Sequence, residues 1–174
     1  MTWARALNGA ELPPAPRGFT WERLAEINSQ VLKPSSWIVK HEKNGEAETF
    51  TLSAGVSSTN APMPNFALNW VPGIPAKAKM PPSKYAAALA DEAAKNHRIE
   101  DRTAEKKDGF DTISFRYTEA LPGRPESVLR YQFLANDRTG SLFIAAFEAP
   151  AKDWENAWKQ GRVIAESLRL DPAR

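Results

Sequence analysis

Cysteine is absent from the 174 residues, which removes disulfides, thiolate nucleophiles and cysteine-held metals from consideration. Histidine is nearly absent: only His41 and His97 occur. A transition-metal site would have to recruit both of them with a carboxylate such as Glu42 or Asp101, and their spacing follows no metal-binding motif. No stretch reaches the roughly 18 apolar residues of a membrane span. There is no glycine-rich phosphate loop, no Gly-x-Ser-x-Gly elbow and no serine–histidine–acid order. The net charge of +2 is small, and without a basic run it argues against nucleic acid as a partner. The opening MTWARALNGAELPPAPRG carries no apolar signal core. That suits a cytoplasmic protein, or a periplasmic one whose leader has been removed.

What is present is an ordinary globular composition, 42% hydrophobic and 25% charged, with six tryptophans. The length fits one domain with a proper core. Residues 1–18, with Pro13, Pro14 and Pro16, read as an extended arm, and 19–174 as a single domain. The clearest stretch is Ser141–Leu170. Leu142 to Phe147 is a continuous apolar run, as in a strand covered on both faces. Pro150 ends it. Trp154, Ala157, Trp158, Gly161, Ile164, Ala165 and Leu168 then recur at helical steps. Gly161 costs about 1 kcal/mol against alanine in mid-helix, so its place on the apolar face predicts close approach to a strand.

Upstream, Trp21, Leu24, Ile27, Asn28 and Val31 recur at three- and four-residue steps, which predicts a helix from Thr20 to about Val31. Trp37–Glu42 and Glu48–Ala54 alternate around Asn44-Gly45, the strongest hairpin signal in the chain. Phe66, Leu68 and Trp70 define a third strand. Pro72–Pro82 is proline-rich and reads as an exposed connection. Ser83 is a candidate N-cap for a helix to about Asn96. Ile99–Lys106 reads as a charged edge strand. Ile113–Tyr117 and Leu129–Ala135 alternate as inner strands. Short connections favour an antiparallel sheet of six to seven strands, covered on its faces by three helices, an α+β layered domain.

The chain also resembles a known family. The residues that carry the likeness are Pro34-Ser35-Ser36-Trp37 at a strand entry and the helix beginning near Ser83. With them go Phe147-Glu148-Ala149-Pro150 with Trp154, and a helix closing on Glu166-Ser167-Leu168. This order is similar to the PsbP-like fold, over about Pro34 to Leu170. That family includes photosystem II extrinsic subunits, a Ran-binding nuclear transport factor and bacterial secretion-effector chaperones. The resemblance implies an α/β/α scaffold that binds proteins, with no catalytic residue and no cofactor to carry over.

Two functional expectations follow. The first is a non-enzymatic adaptor or chaperone-type protein, a possible homodimer. Its partner surface would include the 71–82 connection, where Ile74 and Met80 form an apolar pair beside Lys77 and Lys79. Trp3, in the polar arm, is a second candidate anchor. The alternative is a small enzyme or ligand-binding protein using a cleft near His41 or His97, which requires one histidine to meet a carboxylate inside a concave pocket.

Overall fold

The computed structural model describes residues 5–6, 12–55 and 63–174. Trp3 lies outside them, as does most of the connection between the second and third expected strands.

Two sheets share one hydrophobic core, with a helix packed on both. The larger has seven antiparallel strands in the order β4-β5-β6-β10-β9-β8-β7: β4 Ile38–Asn44, β5 Ala47–Ser53, β6 Asn65–Val71, β10 Ser141–Pro150, β9 Ser127–Asn136, β8 Phe110–Glu119 and β7 Glu100–Lys107. The smaller runs β1-β11-β3-β2, from β1 Arg5–Ala6, β11 Arg169–Leu170, β3 Ser29–Pro34 and β2 Phe19–Leu24. Strand β1, inside the expected N-terminal arm, pairs in parallel with β11. The described residues also form three α-helices: α1 Ile74–Ala78, α2 Pro82–Asn96 and α3 Trp154–Ser167.

Alternation along the strands sorts the core into two layers. Phe50, Leu52, Phe66, Leu68, Phe143 and Phe147 face one side of the large sheet, with Trp154, Ile164 and Leu168 of the α3 region and Val31 of β3 closing over them. Phe115, Tyr117, Leu129 and Phe133 face the other side, beneath Ala86 and Ala90 of α2. Gly161 permits the closest approach in the first layer, since a Cβ there would lie 2.7 Å from the Phe147 ring. Trp154 and Trp158 stack with centroids 5.4 Å apart beside that ring; Trp154 is buried and Trp158 only half-buried.

Three local expectations change. The helix expected over 20–31 is a hairpin: β2, a 3-10 turn at Ala25–Ile27, and β3. Asn28 sits at φ 48, the left-handed conformation that reverses the chain. The 72–82 connection is not wholly irregular, because one helical turn, α1, begins at Ile74 with Pro75 in its first turn. Helix α2 starts at Pro82, one residue before the expected cap. Its capping carboxylate is Asp137, which accepts from the Ser83 backbone N–H at 2.8 Å and the Ser83 hydroxyl at 2.7 Å.

The Asn44-Gly45 signal does mark a hairpin. The paired ends are Asn44 and Ala47, so Gly45 and Glu46 form the loop. Positive φ falls on Gly45 alone of the two, as a II′ turn requires.

Candidate functional site

The two faces of the large sheet are covered unequally. Helix α3 and the small sheet close one face. Helix α2 packs on β9, β8 and β10, which leaves the β4-β5-β6 end of its own face open among the described residues. The registers align this open strip in rows: Lys40 beside Thr51, Ala67 and Ala146, and Glu42 beside Thr49, Asn69 and Ile144. Apart from the exposed residues of β4, these side chains are half-buried. The strip is paved with hydroxyls, amides and alanines, and Thr49 Oγ1 donates to Asn69 Oδ1 at 2.7 Å across it. Ile38, at the outer edge, is 54% exposed.

Tyrosines border the strip where α2 begins to cover the sheet. Tyr131 lies opposite Ala146, and its ring stacks with Tyr117, centroids 5.9 Å apart. Burial raises the pKa of both phenols, so they remain protonated hydrogen-bonding groups. His97, just past the end of α2, stacks on Tyr117 at 4.0 Å. Its place at the helix end is therefore tied to aromatic packing.

His41 lies on the opposite face. Its ring stacks on Phe50 of the α3-side core at 4.6 Å. Nε2 donates to Glu48 Oε2 at 2.7 Å, and Glu26 Oε1 lies 3.7 Å from Nδ1. Lys43 reaches the other Glu48 oxygen at 3.2 Å. The hydrogen bond from His41 is the main reason the buried Glu48 carboxyl is held below the usual glutamate range. The sheet thus separates the two histidines, and no metal site joins them. Among the described residues there is no group of three histidine or acidic side chains placed to hold an ion.

Glu48 also lines an open cleft of about 650 Å³ with Glu26, Lys43, Trp70 and Arg174. The Arg174 guanidinium stands 5.7 Å from the Trp70 ring, and the buried Trp70 Nε1 has no hydrogen-bond partner among the described residues. A histidine–carboxylate contact at a concavity is thus present. Both Glu48 oxygens are already engaged, however, and His41 itself does not line the cleft.

The four residues expected at a partner surface divide. Ile74 is 2% exposed and belongs to the α2-side core, so it is not an accessible anchor. Met80 is 36% exposed. Lys79 is exposed at φ 58, and Lys77 donates to the Pro72 carbonyl at 3.0 Å and pairs with Glu46 at 3.2 Å. This corner lies at the end of the sheet that carries the Gly45-Glu46 loop and the 137–140 turn. No helix among the described residues is long and apolar enough to cross a membrane.

No family model and no curated protein matches the sequence. Solved structures do match in shape. LpqN of Mycobacterium tuberculosis, involved in cell envelope biogenesis, aligns at TM-score 0.57 with 14% identity, over 88% of this chain and 91% of that one. Cyanobacterial PsbP from Synechocystis sp. PCC 6803 aligns at 0.53 with 12% identity, over 94% and 98%. The Ran-binding protein Mog1p of Saccharomyces cerevisiae aligns at 0.48 with 9% identity, over 87% and 95%. At these identities the likeness to LpqN and PsbP establishes the fold alone.

Proposed function

We propose that this PsbP-like chain is a non-enzymatic binding protein, and that its partner, another protein, lies along the open β4-β5-β6 strip and reaches the Lys77–Met80 corner. One observation carries the reading: α2 covers only the β8–β10 half of its face, and the remainder presents hydroxyls, amides and alanines at half exposure. A neutral strip of hydrogen-bonding groups between small apolar ones matches the mixed surface of a polypeptide. It lacks the cationic cluster that a phosphate or nucleic-acid ligand requires.

Ala67→Arg and Thr51→Arg test this by filling the strip with side chains that can extend into solvent. Each variant should fold with the wild-type thermal midpoint and lose a partner that wild-type protein co-purifies from native extract. An arginine on the outer face of α3, at Gln160, should leave that partner bound. Retention of the partner by Ala67→Arg would refute the placement.

A second reading, small-ligand binding in the Trp70–Arg174 cleft, draws on the short His41–Glu48 contact and on a Trp70 Nε1 without a hydrogen-bond partner among the described residues. A compound that raises the midpoint of wild-type protein but not of Trp70→Phe would support it. A metabolite screen without such a compound would count against it.

A further inference from the structure

We infer that the free edge of β4 is a self-pairing surface, on which a second copy of this chain adds its own β4 antiparallel and joins the two seven-stranded sheets into one. This inference does not rest on the proposed partner strip, although Lys40 and Glu42 border both.

Among the described residues strand β4 ends the large sheet, pairs with β5 without a register break, and is exposed at six of its seven positions, Val39 being half-buried. It carries the sequence Ile-Val-Lys-His-Glu-Lys-Asn. A charged edge ordinarily discourages pairing. The order of these charges gives the opposite result for one partner, the strand itself.

Two identical antiparallel edges related by a two-fold axis perpendicular to the sheet must place one residue opposite its own copy, because facing residues share a face of the sheet. Centred on His41, the pairing sets Lys40 opposite Glu42 of the second copy and Glu42 opposite its Lys40. Lys40 and Glu42 already form a 2.7 Å ion pair along one face of the strand, so four charges would alternate around the axis. Val39 meets Lys43, and Ile38 meets Asn44. Moving the centre one residue either way puts Lys40 against Lys40 or Glu42 against Glu42. Like charges directly opposite are unfavourable and unlike charges favourable, so the charge order selects the His41 register.

The other free edge fails this test. Strand β7 reads Glu-Asp-Arg-Thr-Ala-Glu-Lys-Lys, and its charges complement one another only about an axis between Thr103 and Ala104. Those two residues point to opposite faces, and the strand is broken by an irregularity between Glu100 and Thr103, with Asp101 at φ 52.

A seven-residue edge makes a small interface, of the class below about 1,200 Å² that associates transiently. The decisive experiment is a charge exchange followed by sedimentation. Wild-type protein should show a concentration-dependent monomer–dimer equilibrium at up to about 1 mM. Lys40→Glu and Glu42→Lys should each weaken the dimer about tenfold or more, since each sets two like-charged pairs across the axis. An equimolar mixture of the two variants should restore association, because every facing pair then becomes unlike. All these side chains are exposed, so circular dichroism should be unchanged. A wild type that stays monomeric, single variants that dimerise like wild type, or a mixture that fails to recover would each overturn the inference.

Discussion

The two faces of the large sheet are made of the same strands, residue by alternate residue, yet one is sealed and the other half open. On the α3 side β5, β6 and β10 send Phe50, Leu52, Phe66, Leu68, Phe143 and Phe147 into a core closed by α3 and the small sheet, and the packing is tight enough that a glycine must stand over Phe147. On the α2 side an alanine-faced helix seals only the aromatic half, and the β4–β6 half carries side chains too polar and too small to form a core. Stability concentrated on one face leaves the other free of packing constraints, so substitutions on the two faces should have different costs.

The largest effect should come from the sealed face. Phe147→Ala empties the space between Trp154, Trp158 and Gly161 and should cost ~3–5 kcal/mol in denaturant unfolding; a cost below about 1 kcal/mol would show that this face is not the tight one. Gly161→Ala should cost ~1–3 kcal/mol, although alanine is the better helix former, because overpacking against the ring outweighs propensity. If it stabilises the protein instead, the close approach is not a constraint.

A smaller effect, with a sign fixed by pH, belongs to Glu48 at the rim of the sealed face. Its carboxyl is held below the usual range, chiefly by His41. A depressed folded value stabilises the protein above the ordinary glutamate pKa of about 4.3, and that stabilisation is lost as pH falls through the folded value. Glu48→Gln should therefore lower the thermal midpoint by a few degrees at pH 6, and the gap to wild type should close as pH falls below about 4. A constant gap would mean that packing, not charge, explains it. The smallest effect should come from the open face, where Ala67→Arg should change stability by no more than about 0.5 kcal/mol. A large loss there would erase the contrast.

Much of this was legible in the sequence. Strict alternation at 48–54, 66–70, 113–117 and 129–135 marked strands, and the three- and four-residue steps after Trp154 marked α3, because each segment keeps one period throughout. Residues 20–31 misled because they do not. Leu24 precedes and Ile27 closes a single 3-10 turn, so a helical step is spliced between two strands, and Asn28, the left-handed turn residue, falls in line with the stripe. What stabilises this segment as a hairpin is distant: α3 packs on β3, and the Leu32 N–H donates to Ser167 Oγ at 2.8 Å. Ile74 departs from the expected exposure for a related reason. A proline-rich stretch signals exposure, but one turn of helix suffices to point an isoleucine inward. The open strip could not be read at all. Thr49, Thr51 and Ser53 announce a polar face, but which strands α2 would leave bare depends on where it lies across the sheet. The position of His41 beside Glu48 follows from hairpin register, which the Asn44-Gly45 signal located only to within a residue.

The place of β10 has a consequence for how the chain reaches this form. Strands β4, β5 and β6 are consecutive neighbours, and so are β7 to β10, so each group can assemble from contacts close in sequence. The two groups meet only where β6 pairs with β10, Val71 with Leu142 and Asn65 with Glu148. Closing that seam brings together segments separated by α1, α2 and three strands, a long loop closure that adds to the still longer one pairing β11 with β3. Refolding should accordingly be slow for a domain of this size, in the millisecond-to-second range of topologies dominated by distant pairing. Until the seam closes, β6 exposes an unpaired edge rich in apolar residues, which makes that interval the one most open to aggregation.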